Sequence, residues 1–214
     1  MIGPSTLEKL KNIGIAVEYG DNAFFPGFAA RRAGQSVLLI ADRNTRRYAE
    51  ALRLAHAQLC LIDRDEPVPD EEVCSLVLRQ AENCDYILAV GSGTLNDTAK
   101  YAALCTGKAS GVFATAPSMD GYASPVAAIM RGGYKVSEAA RVPADILIDP
   151  TVLAAAPSDM IAAGAGDILG KYTCLTDWRL AEYHRGEAVN EEAFSEMLRA
   201  VRTVASSVGD IARR

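Results

Sequence analysis

The stretch Val90-Gly91-Ser92-Gly93-Thr94-Leu95-Asn96-Asp97-Thr98-Ala99-Lys100 has the composition of an anion-binding turn. An apolar run enters a Gly-x-Gly break, and a helical pattern leaves it. Glycines without Cβ atoms let a backbone come close to a diphosphate. The first amides of the following helix are free donors at the positive end of its dipole. Thr94 and Asn96 are candidate caps for that helix. The motif is neither GxGxxG nor a Walker loop, and a tight strand–helix connection is the structural alternative. Asp97 and Lys100 read equally well as a salt bridge or a solvated face.

Three more segments carry groups suited to ligands. Asp42 ends an apolar run, where a carboxylate can accept from ribose hydroxyls or simply cap a helix. Residues 114–125, Ala-Thr-Ala-Pro-Ser-Met-Asp-Gly-Tyr-Ala-Ser-Pro, follow another apolar run and are dense in hydroxyls, with one carboxylate, Asp120. Residues 162–171, Ala-Ala-Gly-Ala-Gly-Asp-Ile-Leu-Gly-Lys, place small residues before Asp167 within a helical pattern. Glycines weaken a helix, so they point to a close approach by another segment or a ligand. Asp167 is either a ligand-facing carboxylate or the partner of Lys171 one turn on. Trp178, in Thr-Asp-Trp-Arg-Leu-Ala, reads as a packed aromatic.

The elements that must hold these residues follow from apolar periodicity. Runs at 36–41, 58–62, 85–90, 111–115 and 144–148 are continuous rather than alternating, as in strands buried on both faces. Helical patterns at 44–57, 69–83 and 96–105 fall between them. The expectation is a doubly wound, Rossmann-like parallel sheet over residues 1–150. Residues 154–185 and 191–207 read as helix throughout, giving an α-helical part over 151–214 that looks like the start of a domain.

With 214 residues, a net charge of −5 and a pI near 5.1, the chain has no basic stripe for nucleic acid. No apolar run reaches the ~18 residues of a membrane span, and the N-terminus lacks a signal-peptide core, so a cytoplasmic location is expected. The five cysteines form no CxxC and read as free thiols, mostly buried. His56 and His184, the only histidines, read as surface residues. No HExxH or GxSxG occurs.

Taken together and in order, GSGTLNDTAK, TAPSMDGYASP and AAGAGDILGKYTCLTDWRLA resemble the sn-glycerol-1-phosphate dehydrogenases, in particular their AraM-like bacterial members. These lie within the superfamily of iron-type alcohol dehydrogenases, glycerol dehydrogenases and dehydroquinate synthases. The resemblance spans essentially the whole chain and implies a dinucleotide-binding domain followed by part of a helical one. It implies NAD or NADP at Gly91, Gly93, Thr94, Leu95, Asn96 and Asp97, with Thr115, Ala116, Pro117, Ser118 and Ser124 also touching the cofactor and Asp42 near the adenosine ribose. It implies glycerol phosphate or dihydroxyacetone phosphate at Asp120 and Asp167, and a catalytic divalent ion, zinc or nickel, on Asp167. The implied reaction is reduction of dihydroxyacetone phosphate to sn-glycerol 1-phosphate, a lipid-backbone precursor, in a cleft between domains.

The family completes its metal site with two histidines from the later helical region, and His184 is at neither position. One carboxylate is short of the three protein ligands of a catalytic zinc site. Two alternatives stay open: a non-catalytic dinucleotide-binding fragment, and an enzyme resembling glycerol dehydrogenase or dehydroquinate synthase. Apolar helix faces without partners would favour a homo-oligomer.

Overall fold

Along Val37–Asp42 (β2), Val37, Leu38, Leu39, Ile40 and Ala41 are all buried. Leu38 and Ile40 join one apolar cluster while Val37, Leu39 and Ala41 join another. Since successive strand side chains point to opposite faces, β2 must be covered on both sides. The computed structural model, which describes residues 4–211 and 213, shows how. The chain forms two compact units: Met1–Ala116 with Gly121–Ala155, and Pro117–Asp120 with Ala156–Arg214.

The first unit holds a six-stranded sheet, parallel throughout. Its strands are Ala16–Tyr19 (β1), β2, Ala57–Ile62 (β3), Tyr86–Gly91 (β4), Ala109–Ala114 (β5) and, after a hairpin, Asp145–Ile148 (β8). The order across the sheet is β1-β8-β5-β4-β2-β3. The direction in which strands are added reverses between β2 and β4: β3 lies outside β2, whereas β5 lies beyond β4. Such a switch point opens a crevice at the carboxyl ends of its two strands.

Helices flank the sheet. Pro4–Asn12 (α1), Pro26–Arg31 (α2), Arg46–Ala51 (α3), Glu71–Ala81 (α4), Gly93–Thr106 (α5) and Pro150–Ala154 (α6) belong to this unit. Asp70 caps α4 by accepting from the Val73 amide, and Asp149 caps α6 by accepting from the Thr151 and Val152 amides. Val126–Arg131 (β6) and Tyr134–Ala139 (β7) form an antiparallel hairpin, an element beyond the expected strands. Its Ala127 and Ile129 are buried with Cys74 of α4.

Beneath the sheet's amino edge sits a buried charge. The Asp145 side chain is 0% exposed. It accepts from Arg31 Nε at 2.9 Å, from Arg32 and from Tyr86 Oη at 2.7 Å. Arg32 also lies over the Tyr86 ring. Burial first, and then the Asp145 carboxylate, push the Tyr86 phenol well above its ordinary pKa.

The second unit is helical: Ser158–Leu169 (α7), Lys171–Arg185 (α8) and Glu191–Ile211 (α9). Arg179 of α8 binds Glu182 and both carboxylate oxygens of Glu191 while lying over the Phe194 ring, which ties α8 to α9.

Two expected elements differ. The helix expected over 44–57 is α3 and ends at Ala51, because Arg53 sits at φ 45°, a left-handed conformation that cannot continue a helix. The helix expected over 154–185 is interrupted at Pro157 and again at Gly170. Proline at 157 fixes φ and removes an amide donor. All five cysteines are free; Cys60, Cys74 and Cys84 are buried, but Cys105 and Cys174 are exposed. Burial pushes the Cys60 and Cys74 thiols up to about 11. His56 and His184 are exposed.

Candidate functional site

Three of the four chemistry-bearing segments gather at one edge of the first unit's sheet. β2 ends at Asp42 and its neighbour β4 ends at Gly91, so both flank the switch point. β5 lies on the other side of β4, with Ala114 opposite Gly91. The Thr115 amide donates to the Gly91 carbonyl at 3.2 Å, which fixes the start of the hydroxyl-rich loop beside the glycine turn.

At that turn, α5 begins at Gly93, three residues before the expected start. Its N-cap is Ser92, whose side chain makes no capping bond. Neither Thr94 nor Asn96 caps the helix; both lie inside it. With no side-chain cap, the first-turn amides of Gly93, Thr94 and Leu95 keep their donors for a bound anion. Gly91 has a local role of its own. A Cβ there would stand 2.3 Å from Leu95 Cδ1, so its bareness seats Leu95 under the turn.

Asn96 is 1% exposed, and neither its amide nitrogen nor its amide oxygen has a partner. A buried amide left this way costs free energy unless something completes it. Asp97 is committed to Lys100, with Oδ1 2.9 Å from Nζ. The solvated-face alternative is thereby excluded for Lys100, which is 1% exposed.

Asp42 shapes its own turn. Its Oδ1 accepts from the Asn44 and Thr45 amides and the Thr45 hydroxyl. Its Oδ2 takes part in none of these bonds. Thr115 and Ala116 are buried. Ser124 donates to the Val126 carbonyl and lies 3.4 Å from Lys100 Nζ, so its hydroxyl already serves the fold.

Pro117, Ser118 and Asp120 belong to the helical unit, where they meet the fourth segment. Gly164 of α7 is buried, and a Cβ there would stand 1.7 Å from the Pro117 carbonyl oxygen. The small residue thus admits another stretch of backbone, as its cost to the helix suggested. A Cβ on Gly166, by contrast, would meet nothing within 4 Å.

One turn beyond Gly164, Asp167 accepts from the Asp120 amide at 2.8 Å. Lys171 reaches both carboxylates, 2.6 Å from Asp120 Oδ2 and 3.4 Å from Asp167 Oδ1. Burial alone would push the Asp167 carboxyl up. The Asp120 amide and the Lys171 ammonium outweigh it and hold the group below the ordinary range. Lys171 is raised, chiefly by its hydrogen bond to Asp120.

The i,i+4 pairing of Asp167 with Lys171 was legible from spacing. Asp120, 47 residues away, stood out in the sequence as the one carboxylate of its loop and, by the resemblance, as a substrate contact; its bond to Asp167 and its ion pair with Lys171 were not expected. Among the described residues, no group of three His, Cys, Asp or Glu side chains stands close enough to hold a metal ion. Two carboxylates sharing one ammonium fall short of a zinc site. A cavity of about 730 Å³ opens elsewhere, between Phe25, Phe28, Leu52 and His56, and no residue singled out for ligand binding lines it.

Comparison with known proteins places the chain among the iron-type alcohol dehydrogenases. The profile of the family described as iron-containing alcohol dehydrogenase matches residues 20–157. "Glycerol-1-phosphate dehydrogenase [NAD(P)+]" of Bacillus subtilis (strain 168) is 30% identical over 198 residues, covering 87% of this chain and 50% of that protein. Its namesake from Halalkalibacterium halodurans is 34% identical over 194 residues, 83% of this chain and 47% of that protein. The chain therefore spans about half the length of the curated relatives it matches. The crystal structure of a probable glycerol dehydrogenase from Sinorhizobium meliloti 1021 shares the fold, with a TM-score of 0.78 at 20% identity, over 92% of this chain and 57% of that one. By the profile match over most of its sheet unit, the chain belongs to the iron-containing alcohol dehydrogenase family.

Proposed function

We propose that this chain forms the dinucleotide-binding part of an NAD(P)-dependent dehydrogenase that reduces dihydroxyacetone phosphate to sn-glycerol 1-phosphate. The observation that carries the reading is the convergence of Asp42, the uncapped start of α5 and the buried, unpaired Asn96 amide at a topological switch point. A diphosphate there accepts from the Gly93, Thr94 and Leu95 amides, and Asn96 in the same turn is assigned to the same ligand. Bound nicotinamide supplies the hydride. Thr115, Ala116, Pro117, Ser118 and Ser124 are assigned to the cofactor, and Asp120 and Asp167 to the polyol phosphate. The names of the relatives favour this substrate.

Asp42 is assigned to the adenosine ribose, its Oδ2 accepting from a hydroxyl. A carboxylate at that place disfavours a 2′-phosphate, so NADH binds more tightly than NADPH. A divalent ion would need ligands beyond Asp120 and Asp167. That Lys171 already neutralises this pair favours a second reading, dinucleotide binding without turnover by these 214 residues.

The test is fluorescence titration of the chain with NADH and NADPH, followed by NADH oxidation with dihydroxyacetone phosphate. NADH binding is expected, with a preference over NADPH that narrows about tenfold (~1.4 kcal/mol) in Asp42→Asn. Absence of binding for either nucleotide sinks the reading. Binding without oxidation selects the second one.

A further inference from the structure

Lys100 is a buried ammonium in the midst of the expected dinucleotide site. Its Nζ lies 2.9 Å from Asp97 Oδ1, 2.5 Å from the Val126 carbonyl oxygen, and 3.4 Å from both the Gly121 carbonyl oxygen and Ser124 Oγ. All of these groups belong to the first unit. Asp97 comes one turn after the start of α5, on the helix whose amino end is expected to receive a diphosphate. A free carboxylate there would repel that ligand, so Asp97, which the resemblance implies beside the cofactor, serves the site only through its pairing with Lys100. Residues 121–126 continue the hydroxyl-rich loop that opens beside the turn at Thr115. One cation therefore cancels the adverse charge on α5 and anchors the loop to the same helix. A buried lysine is tolerated only when its charge and its three donors are met, and here they are.

We propose that Lys100 is a positioning residue of the dinucleotide site, neutralising Asp97 and clipping residues 121–126 onto α5 without itself reaching the cofactor. This rests on the dinucleotide reading above. It goes further in making affinity depend on a cation that the bound ligand does not touch.

The experiment compares the full chain with Lys100→Met, Lys100→Arg, Asp97→Asn and the Asp97→Asn/Lys100→Met double variant. NADH affinity is read by fluorescence, amide exchange of residues 121–126 by mass spectrometry, and folding by circular dichroism. Lys100→Met is expected to weaken NADH binding tenfold or more and to speed exchange in the loop. Lys100→Arg is expected to stay near the parent. The double variant should regain most of the lost affinity, because the uncancelled carboxylate is gone, while its loop still exchanges quickly. A packing role alone would give no such rescue. Should Lys100→Met fail to fold, Lys100→Gln, neutral but still a donor, takes its place in the same cycle. Unchanged NADH affinity in the single variant, or a double variant as weak as the single one, overturns the proposal. If the parent itself ignores NADH, the dinucleotide reading fails separately. Unchanged exchange in residues 121–126 then overturns the clip as well.

Discussion

Gly164 and Gly166 occupy the same helix two residues apart and should respond to alanine in opposite directions. In a helix interior, Gly→Ala gains about 0.5–1 kcal/mol. At Gly166, which is exposed with nothing within 4 Å of an added Cβ, that gain should appear undiminished. At Gly164 the new Cβ would lie 1.7 Å from the Pro117 carbonyl oxygen, where ordinary contact begins at 3.4 Å. The crossing backbone must withdraw by about 1.7 Å. Overpacking of this kind costs about 1–3 kcal/mol. The withdrawal also strains the 2.8 Å bond from the Asp120 amide to Asp167, worth about 1 kcal/mol. The helix gain is common to both variants, so they should differ by about 2–4 kcal/mol, on the order of 5–15 °C in Tm for a chain of this size. Trp178 is the only tryptophan and lies in α8, so its fluorescence during a thermal ramp follows the helical unit. Coincident melts of Gly164→Ala and Gly166→Ala would refute the claim that Gly164 exists to admit the Pro117 backbone.

Asp145→Ala should cost about 3 kcal/mol in urea unfolding, the low end for breaking a buried ion pair, because Arg31 and Arg32 can still reach water. Tyr86→Phe removes only one bond to the same carboxylate and should cost about 1 kcal/mol; equal losses would contradict the network as drawn. The Asp149 carboxyl gives a pH dependence. Burial would raise its pKa, but the Thr151 hydroxyl and the Ala23, Thr151 and Val152 amides hold it below the ordinary value. A carboxylate depressed in the folded state stabilises fully above its unfolded pKa, about 3.9, and loses that contribution as pH falls through the folded value. The urea midpoint should therefore fall below about pH 4, and fall less steeply in Asp149→Asn; parallel curves would exclude Asp149 as a source.

Legibility from sequence followed burial. β2, β4 and β5 are apolar on both faces and stand out as runs. β7, by contrast, exposes most of Tyr-Lys-Val-Ser-Glu-Ala, and its alternation of Tyr134 and Val136 with Lys135 and Ser137 breaks off at Glu138. A stronger signal was Gly132-Gly133, both at positive φ, a pair that marks a hairpin between strands. β1 is only four residues long, too short for periodicity. At the candidate site, Gly-x-Gly, Asp42 and the Asp167–Lys171 spacing were visible because each is local. The Asp97–Lys100 pair, three residues apart, was legible as well; the loop partners of Lys100 and the cluster around Asp145 were not, since they join residues 21–26 and 59–114 positions apart. Spacing rules along a single element carry no information about such pairs.

The four residues Pro117–Asp120 leave the sheet unit and return to it, yet their contacts are with the helices. The helical half is therefore not a detachable C-terminal tail. Cutting the chain after Ala155 would retain Asp120 in the sequence but strip away Gly164, Asp167 and Lys171, which give that segment its shape. Shuffling halves between relatives should succeed only when the tetrapeptide is exchanged together with the helices it packs against.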